Sequence, residues 1–176
     1  MPSRSRVAVL ATLATILAPA FAGPALAHAT LETKEAPAGS NYRVVVRINH
    51  GCEGSPTLKI RMRIPEGVTN VEPEPKPGWE ITLVRGRLVT PAVDAQDDTA
   101  AEGVVEVDWT GRLEDEDYSE FVAQVRLPDR PGATIYFPII QECERGRLCW
   151  VEIPKAGQSA HDLKLPAPGV KLLPKK

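Results

Sequence analysis

From Tyr42 onward the chain alternates apolar and polar side chains with a period of two. Tyr42, Val44, Val46 and Ile48 alternate with Arg43, Arg47 and Asn49, with Val45 interrupting the polar side. Leu58, Ile60, Met62 and Ile64 alternate with Lys59, Arg61 and Arg63. The same rhythm returns at Trp79-Ile81-Leu83, at Val105-Val107-Trp109, at Phe121-Ala123-Val125-Leu127, from Thr134 to Ile140 and from Leu148 to Ile153. Each run has strand length and is ended by Gly or Pro, which predicts half-buried β-strands. No stretch after residue 27 carries an apolar 3.6-residue repeat, and the 17 prolines oppose helices. Seven or more short antiparallel strands in about 130 residues predict an all-β, two-sheet sandwich. The acidic run Asp94 to Gly103 reads as a mobile hairpin loop, and residues 156–176 as an extended tail packed near Leu163–Leu165.

Residues 1–27 break this pattern. Arg4 and Arg6 precede an apolar stretch from Val7 to Ala22, and small residues then end in Ala25-Leu26-Ala27. This is the layout of a secretory signal peptide, too short and alanine-rich for a membrane span. Cleavage after Ala27 makes His28 the first residue of a 149-residue chain, enough for one domain at 28–155 and its tail. The leader takes two arginines from the 21 basic residues, leaving 19 against 23 acidic ones, a net charge of −4. That balance excludes the basic footprint of a nucleic-acid binder. With no later apolar span, the mature protein is expected to be soluble, periplasmic or secreted, and without a membrane anchor after cleavage.

Export changes the chemistry of the cysteines and of His28. In an oxidising compartment Cys52, Cys143 and Cys149 allow one disulfide and one leftover thiol. The residues themselves leave a Cys143–Cys149 hairpin bridge and a long Cys52–Cys143 closure both open. An N-terminal His offers its α-amine and its Nδ1 to one metal ion, a pair that suits Cu(II) best. Alternatively His28 is simply the residue that follows the cut. His50 lies on the apolar side of its strand end and reads as half-buried; His161 lies in the polar tail and reads as solvated. Three histidines in all cannot build a separate three-His zinc site. No nucleophile elbow and no phosphate-cradling loop is present, so the chain reads as a non-enzyme. Glu120, beside the strand from Phe121, Glu35 near the chain start, and Glu53 after Cys52 each offer a hard oxygen to a copper ion at His28. Each equally suits an ordinary surface position. Alternation through the last strand sets Cys149, Val151 and Ile153 on one face, leaving Trp150 off the core face, where it packs under a loop or covers a metal site. Trp79 and Trp109 fall in register with core residues.

Several segments together resemble the YcnI-like family: His28-Ala29-Thr30-Leu31-Glu32, Glu35 to Ser40, His50-Gly51-Cys52-Glu53-Gly54-Ser55-Pro56-Thr57, and Pro75-Lys76-Pro77-Gly78-Trp79. Tyr118-Ser119-Glu120-Phe121, Tyr136-Phe137-Pro138 through Gln141-Glu142-Cys143, and Trp150 to Pro154 complete the match. The resemblance implies an exported immunoglobulin-like sandwich that binds Cu(II) through its single N-terminal histidine. It carries over His28 as that histidine, Trp150 as a nearby tryptophan, and a carboxylate for which Glu120 is the first choice and Glu35 the second. It also favours a Cys52–Cys143 bridge, with Cys149 outside the family pattern. The implied role is periplasmic copper handling as a metallochaperone, with a copper-transport membrane protein or another periplasmic copper chaperone as partner. Two other readings are a metal-free envelope binding module and a copper mono-oxygenase, for which only His50 could complete the brace.

Overall fold

The computed structural model describes residues 29–93 and 99–175; residues 1–27, read above as a leader, and His28 lie outside the described residues. In chain order the strands are β1 (Thr30–Leu31), β2 (Glu35–Pro37), β3 (Asn41–Ile48), β4 (Thr57–Arg63), β5 (Thr69–Pro73) and β6 (Glu80–Val93). They continue with β7 (Thr99–Leu113), β8 (Ser119–Arg126), β9 (Thr134–Tyr136), β10 (Ile139–Cys143), β11 (Arg147–Trp150) and β12 (Gly169–Leu173). A single 3₁₀ turn, η1 (Ala160–Asp162), precedes β12.

Alternation on β3 explains the first sheet, which runs β1-β3-β8-β5. Val44, Val46 and Ile48 face inward with almost no exposure, as do Phe121, Ala123 and Val125 of β8. The antiparallel register sets Val46 opposite Phe121 and Arg47 opposite Glu120, so apolar and charged residues share opposite faces of the sheet. The second sheet runs β11-β10-β4-β7-β6. One inward row crosses it from Trp150 through Ile139 and Met62 to Val107 and Leu83. The two inner faces meet where Phe121 touches Trp109 and Trp79, each edge to face, with ring centroids 5.8 and 4.8 Å apart. Trp79 is only half-buried; its ring lies over Gly111, where a Cβ would stand 2.5 Å from the indole. This is an all-β, two-sheet antiparallel β-sandwich.

The outer face of the second sheet is ionic. Glu106 and Asp108 of β7 are each 7 % exposed, covered by the side chains of β4. Arg61 donates to Glu106 at 2.8 Å and to Glu142 at 3.2 Å, and Lys59 donates to Asp108 at 3.2 Å. Carboxylates held this dry are tolerable because guanidinium and ammonium groups replace their water.

Four observations depart from the sequence reading. The run from Thr134 to Ile140 is two strands, because Pro138 lies between β9 and β10 and lacks the N–H that a continuous ladder needs. The tail carries β12, which pairs parallel with β2 and antiparallel with β9 and buries Val170 and Leu172 completely. Of that third sheet, β2-β12-β9, periodicity showed only the β9 stretch, because β2 and β12 are three and five residues long. Trp150 is 3 % exposed and belongs to the core, whereas Val151 and Ile153 are 39 and 53 % exposed. Pairing decides this: Trp150 stands opposite the buried Ile139, and Cys149 opposite the half-buried Ile140 on the outer face. Finally, β6 and β7 form one long hairpin whose pairing extends to Val93 and Thr99, so the loop is shorter than the acidic run. Residues 94–98 lie outside the described residues.

Cys52 and Cys143 form the disulfide, 91 residues apart in sequence, and Cys149 is free. The bridge ties the turn after β3 to the end of β10. Opening it by Cys52→Ala with Cys143→Ala is expected to lower unfolding stability by about 4 kcal/mol, the chain-entropy value for a closure this long. Denaturant unfolding checks the value.

Candidate metal site at the β1–β11 margin

The two sheets stack in a definite order. β5 lies against β7, Phe121 of β8 against Trp109 of β7, and Gln141 of β10 donates to the His50 carbonyl, just past β3, at 2.8 Å. Strand order then sets β1 over β11, so the chain start and Trp150 share one lateral margin of the sandwich. β1 is held by β3 alone within its sheet, Thr30 opposite Arg47 and Leu31 opposite Val46. Running antiparallel, its N-terminal end points toward the C-terminal end of β3, where Asn49, His50 and the Cys52–Ser55 turn follow. His28 is joined to buried Ala29, and two residues of extended chain span at most about 7 Å.

The corner past β3 is tightly built. Cys52 and Ser55 close a two-residue antiparallel turn with N–H···O bonds of 2.9 and 3.0 Å. A Cβ on Gly51 would stand 2.0 Å from the Ser55 carbonyl, so only glycine fits there. Asp115, in the acidic run after β7, accepts from the Gly51 N–H through its carbonyl and from the Gly54 N–H through Oδ1. Glu53 and Gly54, the central turn residues, have φ of 50° and 82°. A glutamate at positive φ is strained, and Glu53 is exposed with no hydrogen-bond or ion-pair partner among the described residues. The half-buried His50 donates from Nδ1 to the Gly51 carbonyl, 2.6 Å away, which leaves its Nε2 as the nitrogen with a lone pair.

The sequence-predicted carboxylates Glu120 and Glu35 lie on different sheets. Glu120 lies on the outer face of β8, two strands across from Thr30 with Arg47 between them. Its Oε1 accepts from the Tyr118 hydroxyl and lies 3.3 Å from Arg47 Nε. The Tyr118 hydrogen bond first, and then the Arg47 charge, hold its carboxyl below the usual glutamate range. Arg47 is shared with Glu32 at 2.6 Å. Glu35 is exposed on β2 in the third sheet, opposite Lys171. Glu53 lies in the turn that follows β3, past the end of β3 toward which β1 points. Its signal in the sequence was the Glu-Gly pair of a tight turn, which the Cys52–Ser55 bridge and the backbone angles bear out. Among the described residues no three His, Cys, Asp or Glu side chains cluster closely enough to hold a metal, so a site at this corner would call for donors from outside them. The donors available to it, one imidazole nitrogen of His50 and an uncommitted carboxylate, are the N and O types that Cu(II) accepts.

Two expectations test this geometry. Tyr118→Phe removes the largest of the influences lowering the Glu120 pKa, so that group should titrate closer to an ordinary glutamate, as read by carboxyl NMR. Because the depressed pKa stabilises the fold above the unfolded value and is lost as pH falls, the variant should also lose less stability on acidification. Glu53→Gly relieves the positive-φ strain and should stabilise the fold by about 1 kcal/mol in denaturant unfolding.

Comparison with known proteins agrees with the architecture. A crystal structure of an uncharacterised protein from Nocardia farcinica, described as having an immunoglobulin-like fold, superposes with a TM-score of 0.62 at 24 % identity, covering 83 % of this chain and 98 % of that one. A Corynebacterium diphtheriae protein aligns at a TM-score of 0.39 and 11 % identity over 84 % of this chain and 35 % of its own. No curated protein matches the sequence. A family model matches residues 28–172, so the match opens on His28 and closes within β12. The chain belongs to the family described as a domain of unknown function, DUF1775.

Proposed function

We propose that the protein is an exported Cu(II)-binding protein of envelope copper handling, with the metal taken up by the N-terminal His28 of the mature chain. The observation that carries this reading is the coincidence of three boundaries. The Ala-Leu-Ala cleavage pattern ends at residue 27, the family match begins at residue 28, and the first strand begins at residue 30. YcnI-like proteins are members of that family, and the resemblance carries the copper chemistry. The disulfide fits an oxidising compartment, and among the described residues no helix is long and apolar enough to cross a membrane.

Copper is the cargo. Signal cleavage frees the α-amine, whose ordinary pKa near 8 makes uptake proton-linked. The amine and Nδ1 of His28 supply two nitrogens, and Glu53 supplies the carboxylate oxygen in preference to Glu120, whose oxygen is already committed to Tyr118 and Arg47. Trp150, buried at the same margin, keeps water from one side. Met62 is fully buried inside the second sheet and brings no thioether to the site. A site of nitrogen and oxygen donors favours Cu(II) over Cu(I), so reduction releases the ion, which suits delivery rather than storage.

The mature chain starting at His28 should bind one Cu(II) in calorimetry and electron paramagnetic resonance. One extra glycine ahead of His28 should abolish or scramble that signal. Glu53→Gln should weaken it more than Glu120→Gln or Glu35→Gln. Equal binding by the mature and extended chains would return His28 to an incidental role and leave the metal-free module as the reading.

A further inference from the structure

A cleft of about 450 Å³ opens beside β1, walled by the 30–34 stretch, the third sheet and the 160–168 segment. That last wall is fixed rather than loose. Glu152 N–H donates to the Leu165 carbonyl, Ala167 N–H to the Glu152 carbonyl, and Phe137 N–H to the Pro168 carbonyl, all within 3.0 Å. Ser159 caps η1 reciprocally: its hydroxyl accepts from the His161 N–H, and its own N–H donates to Asp162. On the third sheet Tyr136 stands opposite Gly169, where a Cβ would lie 3.0 Å from two carbons of the phenol ring. Glycine there lets the ring lie across bare backbone and line the cleft as an aromatic wall. Leu31, which is buried, and the half-buried Leu163 supply further apolar lining.

The polar lining is of one electrical kind. Lys34 on one wall and His161 on another have no side-chain hydrogen-bond or ion-pair partner among the described residues, and the Tyr136 hydroxyl is equally open. None of the described residues lining the cleft is acidic. The acids nearest in sequence are placed elsewhere. Glu32 pairs with Arg47 at 2.6 Å, Asp162 accepts from the Ser159 N–H, and Glu35 lies on β2 opposite Lys171. An ammonium beside an imidazole N–H, with no carboxylate to neutralise it, repels a metal cation and attracts an anion. We propose that this cleft binds a small carboxylate with an aromatic or other apolar body. Lys34 and His161 hold the carboxylate, and the body rests on Tyr136 and Leu163. One cation and a neutral donor match a single negative charge, and the Lys34 stem is long enough to follow it. The volume is that of a small-molecule site rather than of a groove for a folded partner. This site is separate from the proposed copper uptake and involves no metal.

The test uses the mature chain, stripped of metal with a chelator, with 2-naphthoate as the probe and 2-naphthamide as its neutral isostere. Chemical-shift mapping by NMR should place 2-naphthoate against residues 31–34, 134–136 and 160–169, with a Kd at or below about 1 mM. The amide should bind at least about tenfold more weakly, because it lacks the charge. Lys34→Gln should weaken 2-naphthoate by about tenfold and leave the amide unchanged, and His161→Ala should weaken the acid by a smaller factor. Lys164→Gln removes the same charge from an exposed neighbour outside the cleft and should change nothing. Lys34, His161 and Lys164 are all exposed, so thermal unfolding should be the same in every variant. Equal binding of acid and amide, equal losses in Lys34→Gln and Lys164→Gln, or no shifts in the cleft up to about 10 mM probe would each overturn the inference.

Discussion

The pairing of β1 with β3 is the constraint on which the functional geometry depends. It is only two residues long, yet it seats Ala29 and Leu31 in the core and fixes the direction from which the chain start approaches the sandwich. β3 meets that demand because its other side is committed to β8 through eight consecutive residue pairs with a fully buried inner face. A short edge strand on a deeply held neighbour is ordered without being long. β1 thereby lies at the margin where β11 and the corner past β3 meet.

That corner is braced in several ways at once. The Cys52–Cys143 bridge, the Gln141 side chain and the Asp115 backbone and carboxylate all converge on residues 50–57. Gln141 is 2 % exposed and donates to both the His50 carbonyl and the Thr57 hydroxyl, so one buried amide satisfies two loop positions. Such bracing explains how Glu53 is held at positive φ, since an isolated glutamate would relax to the ordinary region. Strain that the surroundings maintain, on an exposed acid with no partner, is an arrangement a metal ligand would use. It contrasts with Glu120, a carboxylate already neutralised by its neighbours.

The 155–168 segment joins the same margin from the other end of the chain. Its ladder to Glu152 begins two residues past Trp150, and β12 then returns the chain beside β2. Residues far apart in sequence, at 30, 150 and 161, are in this way collected along one edge of the sandwich. Their distance along the chain hid the grouping, because nothing in local pattern links a two-residue strand, an edge strand and a capped turn.

Strands β3, β4, β6, β7 and β8 were legible because one face of each is buried and one wet, so period-two alternation writes itself into the side chains. The pair of cysteine pairings open to the chain was likewise readable from residue type and spacing, and Cys52–Cys143 is the one that forms. Trp150 was misplaced because alternation was extended through Ile153, whereas the strand ends at Trp150 and its pairing with Ile139 sets the inward face. β1, β2 and β12 are too short for a period to show. The sequence by itself therefore determined the sandwich class and which residue types are present to serve as donors. Which strands become neighbours, which side of Trp150 is buried and which carboxylates are already committed to partners were decided only by tertiary pairing. Register across strands depends on partners tens of residues away, and no local pattern encodes them.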